Sequence, residues 1–324
     1  MAKKENFFPV YSIKFWRAYL IHMRPYLLFV SGAAGLSGMA ISPDKQVDIF
    51  TFVIAFIPFF LGYGFGQALT DCYQVDTDSI SAPYRPLVKK EVSPKQVGII
   101  SVTGMVIISI SLIYLNIYNA LWGVLTITGL ASYTYFKKNF WFAGPAYNGW
   151  IVTLLPVMGY MAMSDVGLGD LISKELLFLA ILTLFSYANF VLMGYLKDIS
   201  ADRATNYRTF PVVFGWNKTV LAGDINVLVS IIAGYLLTGF DDLYAFSVFV
   251  IASAIAIAGQ LYAHLTRDKS EKNATFPIAA TVRSFILWHI AVTLHFMPGW
   301  LLFSLIFYAC FELILFIRPA KEQI

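Results

Sequence analysis

Two strings in this 324-residue chain carry chemistry that their apolar surroundings lack. The first runs Thr70-Asp71-Cys72-Tyr73-Gln74-Val75-Asp76-Thr77-Asp78 and closes on Pro83-Tyr84-Arg85-Pro86. The second runs Lys197-Asp198-Ile199-Ser200-Ala201-Asp202-Arg203 and closes on Tyr207-Arg208-Thr209-Phe210-Pro211. Each holds spaced carboxylates followed by Tyr-Arg and a proline. Asp198 and Asp202, at i and i+4, share one helical face and can share a cation. Asp71 and Asp78 also share a face, but stand about 10 Å apart along the axis of a regular helix. Gln74 lies between them and offers a carbonyl or an amide. One Mg²⁺, with ligands at about 2.1 Å, cannot take both aspartates directly; it usually keeps waters and bridges to substrate phosphates. Carboxylate clusters beside Arg85, Arg208, Lys137, Lys138 and Lys197 suit a Mg²⁺-bound diphosphate. The acids hold the metal, the metal holds phosphate oxygens, and the cations neutralise the remaining charge.

The elements that position these groups are set by composition. The chain is 58% hydrophobic and 13% charged, with a mean hydropathy of +0.69. Soluble domains carry roughly twice that share of charge. A disordered chain and a disulfide-rich scaffold are excluded, because the chain is too apolar and has only two cysteines, Cys72 and Cys310, read as free thiols. The small net charge of +4 gives no reason to expect nucleic acid as a partner. Ten stretches approach the roughly 20 apolar residues that a membrane helix needs: 25–41, 49–70, 96–115, 119–136, 143–164, 176–196, 213–237, 243–265, 278–296 and 299–317. The stretch 278–296 is the weakest, since it contains Arg283, His289 and His295. The sequence predicts an all-α, polytopic membrane protein of nine or ten spans.

The charges favour ten. With the N-terminus inside, all but two of the 23 lysines and arginines fall on segments facing that side; only Lys45 and Lys174 do not. This asymmetry predicts cytoplasmic termini and cytoplasmic acidic loops. The first 24 residues lack the apolar core of a cleavable signal, so the first span is expected to act as its own insertion signal. Singly, most charged loop residues read as solvated; Asp76, Glu91, Arg203 and Lys218 are assigned no role. Two similar strings four spans apart instead suggest a degenerate duplication within a single domain, 1–324, with halves at about 1–140 and 141–324.

These strings resemble the UbiA superfamily of intramembrane prenyltransferases. Its members carry Asn-Asp-x-x-Asp-x-x-x-Asp after the second helix and then Pro-x-Arg-Pro, matched here by Thr70, Asp71, Gln74 and Asp78, then Pro83, Arg85 and Pro86. A second motif opens on Lys-Asp and closes on Thr-x-Pro-Val and Gly, matched by Lys197, Asp198, Asp202, Thr209, Pro211, Val212 and Gly215. Arg24-Pro25 and Asn148 also look like family positions. Thr70 stands where Asn is usual, Gln74 where a metal-binding Asp is usual, and the second motif is about three residues short. The resemblance implies a helical bundle around a central cavity capped by the cytoplasmic loops. Asp71, Asp78, Asp198 and Asp202, assisted by Gln74, would hold Mg²⁺. Arg24, Arg85, Lys137, Lys138, Asn148, Lys197 and Arg208 would hold the diphosphate of a polyprenyl donor.

Loss of diphosphate would give an allylic cation, captured by a small acceptor for which an aromatic compound is the expectation. Phe65, Tyr73, Tyr133, Trp150, Tyr160 and Tyr195 are candidates to shield that cation. Asp71→Ala and Asp198→Ala are expected to abolish turnover with the fold intact. A terpene cyclase of the same family is the alternative. A transporter is disfavoured, because only Asp224, Arg283 and Glu312 are ionisable residues placed to line a midplane path. No obligatory protein partner is inferred, and His289 and His295 are assigned to packing.

Overall fold

A computed structural model of the protein describes residues 7–43, 48–239 and 241–318, apart from the side chain at 170. Lys3, Lys4, Lys45 and Lys321, which enter the charge asymmetry above, lie outside these residues. The described chain is helical, and each of the ten apolar stretches coincides with one helix: α2 (Leu28–Ala40, entered through a 3-10 turn, Pro25–Leu27), α3 (Ile49–Asp71), α5 (Pro94–Leu115), α6 (Asn119–Asn139), α7 (Ala143–Ala162), α8 (Lys174–Tyr195), α10 (Phe210–Thr238), α11 (Leu243–Leu265), α12 (Thr275–Phe296) and α13 (Leu301–Ile317). Of three shorter helices, α1 (Ile13–Met23) precedes them, and α4 (Val75–Ser81) and α9 (Ile199–Ala204) sit between them. Among the described residues seven helices are by themselves long and apolar enough to cross a membrane. The protein is an integral, multi-pass membrane protein.

Local signals place the helix ends. Asp48 caps α3 by accepting from the amides of Phe50 and Thr51, and Ser93 with Gln96 forms a capping box before α5. Inside α10, Gly215 takes φ 78°, a left-handed value that costs glycine little, and bends the first turns across the bundle end.

Packing explains why the weakest of the ten apolar stretches is a helix. Every residue of α2 is buried, as is every residue of α12 from Pro277 to Leu294 except Arg283, so these two form its centre. His289 is buried, donates from Nδ1 to the Phe285 carbonyl at 2.8 Å and meets Thr183 Oγ1 at 3.0 Å through Nε2. Arg283 forks onto Glu312 of α13 at 2.7 and 2.8 Å. Two of the groups that lower the hydropathy of this stretch, Arg283 and His289, are therefore partnered by protein rather than by lipid. Close helix approach depends on small residues: a Cβ on Gly38 would lie 2.1 Å from the Pro156 carbonyl oxygen, and one on Gly159 2.4 Å from the Gly35 carbonyl oxygen. By contrast, α5 and α13 turn Ile107, Ile110, Leu302 and Phe316 outward. The chain reverses between successive long helices, so the C-terminal ends of α3, α6, α8, α11 and α13 share one end of the bundle with the N-terminal ends of α5, α7, α10 and α12.

Candidate active site

Helix α3 stops at Asp71, the chain turns through 72–74, and α4 restarts at Val75. The helix is therefore not continuous between the two acids, and Asp71 and Asp78 both reach the same nitrogen of Arg85, Asp71 at 3.5 Å and Asp78 in closer contact. Asp71 is almost fully enclosed. It also accepts from Arg24 at 3.0 Å, from Gln67 at 2.9 Å and from His22 at 2.9 Å. The Leu87 amide donates to His22 Nε2 at 3.3 Å, so the proton of a neutral ring sits on Nδ1 and points at Asp71. His22 and Gln67 were not anticipated from the sequence. Gln67 stands one turn before Asp71 on the same face, which is a legible signal; His22 comes from α1, outside both motifs. Arg24, with φ 49° at the end of α1, is swung into the site by that left-handed turn.

The second string repeats this construction. Helix α8 ends at Tyr195, Asp198 precedes α9, and the Asp202 amide donates to the Asp198 carbonyl at 2.8 Å. Asp202 is buried. Its Oδ2 accepts from Thr209 Oγ1 at 3.0 Å, while Oδ1 has no hydrogen bond and lies 3.6 Å from Lys137 Nζ. Asp198 lines the cavity, close enough to act on the charges of Lys137 and Asp202.

The two strings meet over one mouth. Thr77 and Thr205 hydroxyls are 3.1 Å apart, and the Tyr207 hydroxyl donates to Asp76 at 3.3 Å. Lys137 spans the seam. Its ammonium is 3.3 Å from Gln74 Oε1 and 3.6 Å from Asp202, and 5.1 Å from the ring centres of both Tyr195 and Tyr207. The Gln74 carbonyl thus faces a lysine, and its amide nitrogen donates to Thr134 at 3.3 Å. Lys138 and Arg208 stay outside: Lys138 pairs with the exposed Asp76 at 3.3 Å, and Arg208 is exposed, tied to Lys138 only through the backbone.

Below the mouth is a cavity. Arg24, Arg85, Lys137 and Lys197 line its head with Asp78, Asp198 and Asn148; Pro58, Phe59, Leu112 and Met158 lie deeper. Pro58 is 13 residues before Asp71, so the cavity runs about 20 Å along α3. Of the six aromatics proposed to shield a cation, only Tyr133 and Tyr195 line it, their hydroxyls 2.7 Å apart. Tyr73 is exposed, Phe65 packs on Tyr19, Trp150 packs on Tyr147, and Tyr160 belongs to a separate core cluster. Tyr26, Tyr63 and Tyr187 occupy the wall instead. Asp224, the lone acid within α10, pairs with His264 at 2.7 Å on a half-exposed surface and does not line the cavity.

The electrostatics leave room for a cation. Burial raises Asp78 to about 6 against the opposing pull of Arg85, with Asp71 adding to the rise. Burial likewise raises Asp202, opposed by Lys137 and reinforced by Asp198. Among the described residues no three His, Cys, Asp or Glu side chains converge as a ready-made metal site. Yet the all-oxygen donor set, the orphaned Asp202 Oδ1 and the cavity-lining Asp198 fit a hard divalent ion that retains water and shares phosphate oxygens. On the other wall, Asp71 is already neutralised by two arginines.

Comparison with known proteins gives the same architecture. The UbiA prenyltransferase family model matches residues 29–290. The digeranylgeranylglyceryl phosphate synthase of Pyrococcus furiosus is 23% identical over 260 residues, 78% of this chain and 91% of that protein. The synthase of the same name from Methanococcus vannielii is 26% identical over 258 residues, 79% and 88%. A UbiA homolog from Aeropyrum pernix superposes with a TM-score of 0.66 at 18% identity, covering 87% of this chain and 99% of that one. A UbiA homolog from Archaeoglobus fulgidus, bound to GPP and Mg²⁺, gives 0.62 at 15%, covering 85% and 99%. With most of its length matched by the family model, its helices arranged as in these membrane proteins and both acidic strings at one mouth, the chain belongs to the UbiA prenyltransferase family and is a membrane-embedded transferase of prenyl groups.

Proposed function

We propose that the protein transfers a prenyl group from a polyprenyl diphosphate to a phosphorylated glycerol lipid, with Mg²⁺ as cofactor. The acceptor class follows the names of the curated relatives, which are digeranylgeranylglyceryl phosphate synthases, and replaces the small aromatic acceptor expected from the sequence. The observation that carries the proposal is the convergence of both acidic strings, through Lys137, over the head of a deep apolar cavity. In this scheme Arg24, Arg85, Lys137 and Lys197 receive the diphosphate, Asn148 orients it, and the chain lies along the wall down to Leu112 and Met158. Asp198 and Asp202 hold the metal, with Asp78 and Asp71 behind Arg85 on the opposite wall. Magnesium, when bound, supplies charge that makes diphosphate a better leaving group. The allylic carbon–oxygen bond breaks with its electron pair leaving on diphosphate. The acceptor hydroxyl oxygen forms the new bond to that carbon and gives up its proton to the departing diphosphate. Tyr133 and Tyr195 enclose the carbon with π faces and keep bulk water away. Lys138 and Arg208, on the outer rim, steer the anionic donor inward. Gln74 acts by holding Lys137 rather than by binding metal.

The acidic loops and termini are assigned to the cytoplasmic side, and the two motif-bearing halves to a degenerate repeat. Both assignments are supported by the charge asymmetry and by α4 and α9, each of which restarts after a turn at the end of a long helix. The test is incubation of the detergent-purified protein with geranylgeranyl diphosphate, Mg²⁺ and a prenylglyceryl phosphate, with mass spectrometry of the lipid extract. The expected result is an adduct and equimolar diphosphate, both abolished by chelation. Diphosphate with a cyclic hydrocarbon and no adduct would reject transfer, and nothing observed favours that outcome.

A further inference from the structure

A side pocket opens at the same end of the bundle as the acidic strings, between the ends of α11 and α13 and the start of α12. Its polar lining includes Lys272, Asn273, Arg283, Glu312 and Arg318, and it shares no lining residue with the main cavity. Three cations face one carboxylate, and that carboxylate is committed: Glu312 accepts the fork of Arg283 and, at 2.8 Å, the hydroxyl of Tyr308. The lining is therefore net positive. Arg318 is held below the usual arginine value, by burial first and by the like charge of Arg283, with Tyr26 and Tyr84 opposing. An anion here would relieve that crowding.

The apolar walls say what kind of anion fits. Phe276 and Phe316 flank the pocket and are 48% and 75% exposed, and Leu313 and Ile317 continue an exposed apolar strip along α13. A headgroup at the cations would leave its hydrocarbon against that strip, whereas a soluble anion would gain nothing from it. The pocket also adjoins the active site. Tyr26 and Tyr84, close enough to act on the charge of Arg318, are in the cavity wall. Glu271, next to Lys272, accepts from Ser200 Oγ of the second acidic string at 3.0 Å.

We infer that this pocket is a second phosphate site, which takes the phosphate headgroup of a membrane lipid beside the diphosphate cavity. Given the acceptor class proposed above, on which this assignment rests, that lipid is the glyceryl phosphate acceptor waiting next to the donor. The alternative source of the same chemistry is a bulk anionic phospholipid.

The test uses the full chain, Lys272→Glu and Arg318→Gln, with two readouts. Native mass spectrometry with phosphatidic acid or phosphatidylcholine reads lipid retention without needing activity. A transfer assay reads KM for acceptor and donor separately. Lys272 is exposed, so its variant keeps the test decisive should Arg318→Gln fold poorly. The wild type is expected to retain phosphatidic acid over phosphatidylcholine, and each variant to lose about tenfold, one charge-assisted contact. A tenfold rise in acceptor KM with donor KM unchanged identifies the acceptor as occupant. Lost retention with acceptor KM unchanged identifies a bulk lipid. Equal retention of both lipids by the wild type, or unchanged retention and KM in Lys272→Glu, overturns the site. If the wild type transfers nothing, the acceptor reading fails while the lipid readout still decides the pocket.

Discussion

Asp71→Asn and Asp198→Asn remove the same charge from opposite walls of one cavity, and their surroundings give them different consequences. Asp71 accepts from His22, Gln67 and Arg24 and pairs with Arg85, at a side-chain exposure of 2%, against 15% and 14% for the two arginines. Removing one member of so enclosed a pair costs about 3–5 kcal/mol. Because Arg85 keeps Asp78 as a partner, the low end, about 3 kcal/mol, is expected. Asp198 carries no such burden, and its replacement should stay within about 0.5 kcal/mol. Its loss should instead fall on turnover, by about 10²-fold or more, as for other removals of a group that manages charge at the reacting centre. The assay pairs thermal unfolding in detergent with diphosphate release. Asp198→Asn should melt like wild type, fail to turn over, and lose the stabilisation that Mg²⁺ with donor diphosphate gives the wild type. Asp71→Asn should melt clearly lower even without ligand. From the sequence alone both positions were expected to leave the fold intact when substituted. An Asp71→Asn protein as stable as wild type, or a destabilised Asp198→Asn, would refute the division of labour between the two walls.

Three further outcomes follow from the same geometry. Lys138→Ala and Arg208→Ala should change turnover by less than about fivefold, since both lie outside the cavity and exposed charges contribute about 1 kcal/mol or less; Lys137→Met, measured alongside, should be severely impaired. Leu112→Trp should shift donor preference towards shorter prenyl diphosphates by filling the deep end, read as a ratio of kcat/KM values across donors of increasing length. Gly38→Ala should destabilise the contact between α2 and α7 by about 1–3 kcal/mol, because its Cβ meets a backbone oxygen at 2.1 Å that no rotamer change relieves; a melting temperature equal to wild type would contradict that close approach.

The helices were legible in the sequence because a run of about 20 apolar residues has few alternatives once lipid is the solvent. The acidic strings were legible because charge is rare enough in this chain that two similar clusters stand out. What the string could not carry was the pairing of those charges. The turn at 72–74 lets Asp71 and Asp78 meet at one nitrogen of Arg85, and α1 with the turn that ends it delivers His22 and Arg24 to Asp71. Lys137 and Lys138 are adjacent in sequence, yet one is buried between the two strings and the other is on the rim. Residue type and local spacing determined the helices and the chemical inventory of the site. Tertiary packing decided which carboxylates are neutralised and which remain available, because electrostatic energy depends on distance and burial, and both are set by helices that meet far apart along the chain.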